Sequence, residues 1–372
     1  MDRQKVFDYC LKAFLFLSPL FFFRTYQISF ARGLFFVLGT FVLLAVSLSL
    51  EPRRRLSNIW VSAFLLLALV NIFFKGNLGP VNQEWFNFWF SCAGFIYVLT
   101  GVLLFKTVYC YADNIKQYFY PIVSVCIVNL LLVTAQLSGM DFMWTHAPSA
   151  SGFMESQSQL GQYSALSLPV LFYINPLLAL IPLFTLFISK SISAILAGSI
   201  GLIILCIGYK VRKIIIAGLI AVLIFIGYIN FGYIQAKFAC RPVMWQKTLK
   251  VAMQKPYLGH GYNSFNDKVL KVGSKCDIGK IEYSRAHNDL IHTAQELGFP
   301  ILIVLGIFFM KLFKKFIAIK NKDRLLICIA SSVLIALING CGQTLIRYSS
   351  VASIFIILLA LLCVEVDDAG RI

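Results

Sequence analysis

The chain has 372 residues, of which 59% are hydrophobic and only 13% are charged. Soluble domains contain roughly 45–50% apolar and about 25% charged residues, so this composition excludes an ordinary soluble enzyme, a fibrous protein and a disordered tail. The formal net charge of +17 is compatible with nucleic-acid binding. In a chain this apolar, however, it is better explained by Lys and Arg residues collected in cytoplasmic loops, so we expect no nucleic-acid partner.

The apolar residues occur in long, nearly uncharged blocks. A helix needs about 20 apolar residues to cross a bilayer. We therefore predict an all-α polytopic integral membrane protein with about 12 transmembrane helices, near residues 7–23, 33–50, 58–74, 85–105, 118–137, 160–174, 176–188, 192–209, 214–231, 298–313, 325–340 and 350–365. The blocks between 160 and 188 are short and contain several prolines, so one or three crossings between 160 and 209 both fit the pattern.

The basic residues orient these predicted helices. With the N-terminus inside, the Arg53–Arg55 run and the six basic residues from Lys311 to Arg324 fall on the cytoplasmic side, as the positive-inside rule requires. Residues 232–297 fall outside although they contain ten basic and five acidic residues, because loops longer than about 60 residues escape the rule. We therefore divide the chain into helices 1–9 (1–231), a long outer loop (232–297), and helices 10–12 with a cytoplasmic tail (298–372).

The long outer loop has the pattern of an ordered segment. Residues 241–254 predict a helix with Arg241 as its cap and Pro242 at its first position. Residues 259–261, Gly-His-Gly, predict a tight turn, and residues 284–298 predict a second helix that runs into the next span. Loops longer than about 12–15 residues are usually functional or disordered, so we expect the chemistry of this protein in the outer loop.

The motifs of this loop are similar to those of a known family. An Arg, a Trp four residues later, a Pro-x-x-Gly-x-Gly segment and a His-Asn pair near Glu-x-Gly resemble the O-antigen ligase family. The matching residues are Arg241, Trp245, Pro256, Gly259, Gly261, His287, Asn288, Glu296 and Gly298. A weaker resemblance covers Gly152–Tyr163 and Ser189–Ser191, where Lys190 replaces the Arg usual in the family. Lys provides a point charge without the bidentate fork of Arg.

The resemblance implies a membrane glycosyltransferase of lipopolysaccharide biosynthesis in the bacterial inner membrane, with its active site facing the periplasm. Its donor would be a glycan on undecaprenyl diphosphate and its acceptor a lipid A-core sugar, with no cofactor. The same superfamily includes O-antigen polymerases, which extend another lipid-linked glycan, and protein O-oligosaccharyltransferases. A lipid or polysaccharide transporter is the alternative from another class, but transporters usually place ionisable groups near the bilayer midplane, and the apolar blocks contain few.

The resemblance assigns Arg241 to the diphosphate and His287 to acceptor activation. The chemistry agrees, because a leaving diphosphate needs cations, and scattered acidic residues favour neutralisation by Arg and Lys without a metal. Helix N-termini bind anions and Arg donates in pairs. Imidazole is a suitable base near neutral pH, and Arg285 would disfavour its protonated form. We also expect Lys190, Arg285 and Asn288 to bind substrate. An interfacial Arg241 and a merely hydrogen-bonding His287 remain the simpler alternatives.

Three further features of the outer face have less support. Glu155 is a second candidate base. Cys240 and Cys276 could form a disulfide in the oxidising periplasm. His292 lies five residues after His287, about 140° further round a helix, so we expect it to face elsewhere and not to form a metal pair with His287.

Overall fold

The structure is a computed structural model that describes residues 2–20, 28–54, 66, 81–140, 150–154, 156–210, 241–262, 264–265, 275–276, 281–282, 285–346 and 348–370. This part of the chain is almost entirely helical, which confirms the predicted all-α class. Its α-helices are α1 (Arg3–Leu20), α2 (Ile28–Ser47), α3 (Val81–Tyr111), α4 (Phe119–Leu137), α5 (Gln157–Ile174), α6 (Leu180–Ile188), α7 (Ile192–Gly208), α8 (Arg241–Gln254), α9 (Asp289–Leu297), α10 (Phe299–Ala318), α11 (Arg324–Gly340) and α12 (Ser349–Ala369).

Two smaller elements complete the described structure. A 3₁₀ turn at Ile115–Tyr118 precedes α4, and two short strands, β1 (Lys275–Cys276) and β2 (Ile281–Glu282), form an antiparallel pair. The number of α-helices is not the number of crossings, because α8 and α9 belong to the predicted outer loop. The predicted spans 58–74 and 214–231 lie outside the described residues, apart from residue 66.

The length and composition of several helices support a membrane protein. Within the described residues, Ile115–Leu137 and Ser349–Ala369 are long and apolar enough to cross a membrane. Four shorter apolar helices are Arg32–Ser47, Phe95–Tyr111, Ile192–Gly208 and Arg324–Gly340. These segments coincide with predicted spans, and the twelve-crossing topology remains a prediction.

The bundle is built around α12 and α11. Nearly all side chains of α12 between Ser349 and Val366 are buried, and this helix packs against α3 and α11. In turn, α11 packs against α5 and α7. A Cβ atom added to Gly201 of α7 would lie 2.2 Å from Ile335 of α11, so this glycine allows the two helices to approach closely.

The helices of the predicted outer loop differ from expectation at their ends. The second helix begins at Asp289 rather than near residue 284, because the Asn288 side chain accepts a hydrogen bond from the Ile291 amide (3.0 Å) and caps it. This helix also does not run into the next span, since Gly298 (φ +82°) separates α9 from α10. The first helix begins at Arg241, which is therefore its first residue and not its cap.

Candidate functional site

Several chain segments meet at one end of the bundle, beside the connection from α11 to α12. That connection, residues Cys341–Ile346, is called the α11–α12 loop below. The segments that contact it directly or through a neighbour are the start of α5, the turn 189–193, the start of α8 and residues 285–289. Of the residues predicted to bind or react with substrate, Arg241, His287, Lys190, Arg285 and Asn288 lie on these segments.

His287 is held by the α11–α12 loop. Its Nδ1 lies 2.7 Å from Oε1 of Gln343, whose amide nitrogen donates in turn to Ser158 Oγ at 2.9 Å. Because an amide oxygen only accepts hydrogen bonds, Nδ1 carries the proton and Nε2 keeps its lone pair. The backbone of His287 is left-handed (φ +49°), which is uncommon for a residue with a Cβ atom. His287 is thus an oriented imidazole with Nε2 in the basic form.

The surroundings of His287 favour the neutral ring. Burial is the largest cause that lowers the pKa of His287, from its ordinary 6.5 to about 4. The positive charges of Arg241 and Arg285 and the neighbouring His292 lower this pKa further, whereas the Gln343 hydrogen bond opposes the shift. The predicted influence of Arg285 has the expected direction, but burial is the stronger effect.

Arg241 contacts the residue next to Gln343. Its Nη1 donates to the Gly342 carbonyl at 2.7 Å, and the side chain is only 7% exposed. A Cβ atom at Gly342 would lie 3.0 Å from Ser193 Cβ and 3.9 Å from Arg241 Nη1, so a glycine here allows α7, α8 and the loop to meet. Arg241 and His287 therefore bind consecutive residues of one loop, as a shared site requires.

Asn288 and Asp289 fasten the same loop from the start of α9. Asn288 Nδ2 donates to the Cys341 carbonyl at 2.8 Å while its Oδ1 caps the helix. Asp289 Oδ2 accepts from the backbone amides of Leu345 (2.8 Å) and Ile346 (3.3 Å). Both side chains are buried, so their described contacts assign them first to the architecture of the site.

Arg285 lies beside the site through an aromatic contact. Its guanidinium carbon is 4.5 Å from the centroid of the Tyr348 ring, a cation–π distance. Its Nη1 is buried and has no hydrogen-bond partner within the described part of the chain. A buried N–H group of this kind carries a desolvation cost of about 1–3 kcal/mol until it finds an acceptor.

Lys190 lies in the turn between α6 and α7, with a left-handed backbone (φ +49°) and an exposed side chain. The flanking residues Ser189 and Ser191 pack against Gly161 of α5, where an added Cβ atom would lie 2.5 Å from Ser189 Oγ. The structure therefore places the turn against the start of α5. Among the described residues, no hydrogen bond of the Lys190 ammonium is found.

The glycines of the Pro-x-x-Gly-x-Gly and Glu-x-Gly segments serve a close backbone approach. A Cβ atom at Gly259 (φ +65°) would lie 2.4 Å from the Glu296 carbonyl oxygen. One at Gly298 would lie 2.4 Å from the Tyr257 carbonyl oxygen. Gly261 N donates to the Glu296 carbonyl at 2.8 Å. These contacts join the end of α8 to α9, and Trp245 reinforces the join by donating to the Ala286 carbonyl at 2.9 Å.

The remaining histidines of the described outer loop have structural contacts. His292 Nε2 lies 3.1 Å from Glu296 Oε1, and its ring stacks on Phe265 with centroids 4.9 Å apart. His260 Nε2 lies 2.8 Å from the Val251 carbonyl. No group of three or more His, Cys, Asp or Glu side chains that could hold a metal ion lies within the part of the chain that the structure describes.

Four residues of this region were missed from the sequence. Gln343 and Gly342 contact His287 and Arg241 directly, and Ser158 contacts Gln343. The signals were a short polar run between the last two apolar blocks and, for Ser158, the weaker resemblance over Gly152–Tyr163. The fourth, Arg32, is 1% exposed and donates to the Phe153 carbonyl, just before α5.

Other predicted features lie outside the described residues. These are Glu155, Cys240 and the side chain of Cys276, so the second candidate base and the disulfide remain predictions.

Comparison with known proteins finds one matching family. The family described as O-antigen ligase matches residues 177–306, about a third of the chain. The matched range contains Lys190, Arg241, Arg285, His287 and Asn288, whereas the α11–α12 loop follows it. No curated protein matches the chain. The match confirms the resemblance recognised from the motifs: residues 177–306 are similar to the O-antigen ligase family.

Proposed function

We propose that this protein is an O-antigen ligase that transfers a glycan from undecaprenyl diphosphate to a hydroxyl of a lipid A-core acceptor. In this proposal residues 232–297 form a periplasmic loop on a multi-pass protein of the inner membrane. The observation that carries the proposal is that Arg241 and His287 hold consecutive residues of one loop, Gly342 and Gln343. A fixed cation and a neutral imidazole are thereby placed side by side.

His287 would act on the acceptor. Its Nδ1 is occupied by Gln343, so Nε2 takes the proton of the acceptor hydroxyl as the oxygen attacks the anomeric carbon. The bond between that carbon and the phosphate oxygen breaks, and the leaving diphosphate carries away the electron pair. Because the pKa of His287 is about 4, nearly all of the imidazole is in its basic form near neutral pH.

Arg241 and Arg285 would stabilise the leaving diphosphate. Both lower the pKa of His287, which shows that they impose a positive potential at the imidazole. Positive charge fixed where negative charge develops is worth about a hundred- to a thousandfold in rate for a single donor. The buried Nη1 of Arg285 is suited to a phosphate oxygen, because it is an N–H donor in need of an acceptor.

The two acidic side chains of α9 already have protein partners. Asp289 accepts from two backbone amides and Glu296 contacts His292. This supports charge neutralisation by Arg side chains without a divalent metal. Lys190, exposed in its turn, would supply a further cation, and Asn288 would position the loop that holds the base.

The lipopolysaccharide profile of a deletion strain tests this function. Complementation with the wild-type gene should restore attached glycan, whereas His287→Ala should lower transfer by about a hundred- to ten-thousandfold, as for loss of a general base. His260→Ala is a matched control, since the His260 ring contacts the Val251 carbonyl of α8 through Nε2.

The deletion strain also separates the alternatives. Loss of all attached glycan indicates a ligase, and core bearing a single repeat indicates a polymerase. Normal transfer by His287→Ala at wild-type protein levels would contradict the proposed chemistry and favour a transporter.

A further inference from the structure

We infer that Gln343 is a positioning residue for the proposed base: its side-chain amide, anchored by Ser158, fixes the ring orientation and tautomer of His287 so that Nε2 faces the acceptor. This inference rests on the proposed function and adds to it two residues outside the range matched by the family. Neither residue was a candidate from the sequence.

His287, Gln343 and Ser158 form a continuous chain of hydrogen bonds. The distance from His287 Nδ1 to Gln343 Oε1 is 2.7 Å and that from Gln343 Nε2 to Ser158 Oγ is 2.9 Å, so both ends of the amide are engaged. Gln343 is 5% exposed and therefore does not exchange these partners for water. In this arrangement the Gln343 nitrogen donates to Ser158 and the Gln343 oxygen accepts from His287.

The backbone around Gln343 is also fixed. The backbone amide of Gln343 donates to the Asn339 backbone carbonyl at 2.8 Å, and this bond continues the last turn of α11. Asp289 and Asn288 hold the rest of the α11–α12 loop. Three helix ends, those of α5, α9 and α11, thus determine where the Gln343 side chain lies. A Gln343 side chain that is fixed in this way holds His287 in one tautomer, which is the role of a group that orients a general base.

A neutral partner has a chemical consequence. A carboxylate at this position would favour the imidazolium and raise the pKa of His287, whereas an amide fixes the tautomer without adding negative charge. Among the described residues, Arg241 from α8, Arg285 before α9 and His292 within α9 act on this ring, and all three oppose its protonation. An amide partner therefore favours the imidazolium less than a carboxylate would, beside the cations proposed to bind the diphosphate.

The test compares Gln343→Leu, Gln343→Glu and Ser158→Ala in full-length protein, with an undecaprenyl-diphosphate-linked glycan and lipid A-core as substrates. We expect Gln343→Leu to lower kcat by about ten- to a hundredfold, the usual effect of removing a partner that orients a histidine, with little change in KM. Ser158→Ala should have a smaller effect, because the amide still reaches His287.

Gln343→Glu supplies a readout that a purely structural role would not change. It should restore much of the rate at high pH, because a carboxylate also accepts from Nδ1. It should also move the acidic limb of the pH–rate profile to higher pH, since the base is protonated more easily. Gln136→Glu is the matched control, because Gln136 is an amide that accepts from the backbone amides of Ser151 and Gly152, away from His287.

The outcomes separate this inference from the proposed function. Full transfer by His287→Ala would overturn the function itself. Loss of transfer in His287→Ala together with normal transfer and an unchanged pH profile in the Gln343 variants would overturn only the inference. If Gln343→Leu does not fold, as judged by its elution in detergent, the pH limb of Gln343→Glu decides: a shift supports the inference and an unshifted limb overturns it.

Discussion

The positively charged side chains at the two ends of the helix bundle have different kinds of described contact. At the end opposite the site, cations meet carboxylates: Arg54 Nε lies 3.2 Å from Asp368 Oδ1, and Lys315 Nζ lies 2.7 Å from Asp367 Oδ1. At the site end, Arg241 donates to a backbone carbonyl and Arg285 lies over an aromatic ring. A carbonyl or a ring orients a cation without cancelling its charge.

This difference suggests separate roles for the two ends, one in holding helices together and the other in the proposed chemistry. Side-chain ion pairs tie α12 to α10 and to residue 54, and the same polar cluster includes Tyr109, which donates to Asp367 at 2.6 Å. At the other end of α12, about 27 Å away along the helix axis, Arg241 and Arg285 act on His287 as positive charges. We therefore expect substitutions at the two ends to affect different measurements.

The largest effect is expected at Arg241. Arg241→Ala removes a fixed charge and paired donors, so we expect glycan transfer to fall by about a hundred- to a thousandfold. Affinity for undecaprenyl diphosphate in nanodiscs should fall with it. Arg241→Lys should recover part of the binding, because it keeps the charge but loses the fork. Unchanged lipid-diphosphate affinity in Arg241→Ala would remove Arg241 from the donor site.

The pH–rate profile sharpens the comparison through the base. Because the pKa of His287 is about 4, its basic form dominates above about pH 5 and is lost as the pH falls through that pKa. We expect kcat/KM to be flat from about pH 5.5 to 8 and to fall about tenfold per pH unit below pH 4. A bound diphosphate favours the imidazolium, so the limb in kcat should lie at higher pH. A kcat/KM limb near the ordinary histidine value would contradict this.

Gly259 tests the framework beneath the site. Gly259→Ala would put a Cβ atom 2.4 Å from the Glu296 carbonyl oxygen at a left-handed φ of +65°, so we expect a loss of stability of about 1–3 kcal/mol. Thermal unfolding in detergent measures it. Gly306→Ala in α10 is the control, since nothing lies within 4 Å of its added Cβ atom. Equal unfolding temperatures for the two variants would contradict the close approach.

The smallest effect is expected at the opposite end. Arg54→Ala removes the bonds to Asp368 and to the Ala112 carbonyl (2.9 Å), and a partly exposed pair of this kind is worth about 1 kcal/mol. We expect a small fall in unfolding temperature and no change in kcat or KM. A changed KM for the lipid-linked donor would break the separation between the two ends.

Local sequence signals predicted several parts of the site. Pro242 and Lys255-Pro256 bounded α8 within a residue, and the glycine motif marked the turn that the structure shows. The start of α9 was misplaced because the capping ability of Asn288 was overlooked, although Asn is a favoured N-cap. That error had consequences, because it put His287 inside a helix rather than at the left-handed position just before one.

The partners of the predicted residues could not be obtained in this way. His287 and Gln343 are 56 positions apart, and Gln343 and Ser158 are 185 apart. Contacts at such separations depend on which helix ends pack together, and no local propensity encodes that choice. The predicted roles of Lys190 and Asn288 illustrate the same point, since the structure shows one exposed in a turn and the other holding a loop.

The amino-acid sequence alone determined an apolar, helical chain and gathered its unusual charges and family motifs in one loop, because helix period, hydrophobic length and turn residues are local properties. The tertiary structure was needed to show that Gly342 and Gln343 contact Arg241 and His287. It was also needed to show that burial, more than any neighbouring charge, keeps the imidazole neutral. Burial and long-range hydrogen bonds arise from the packing of distant segments, which no single stretch of sequence contains.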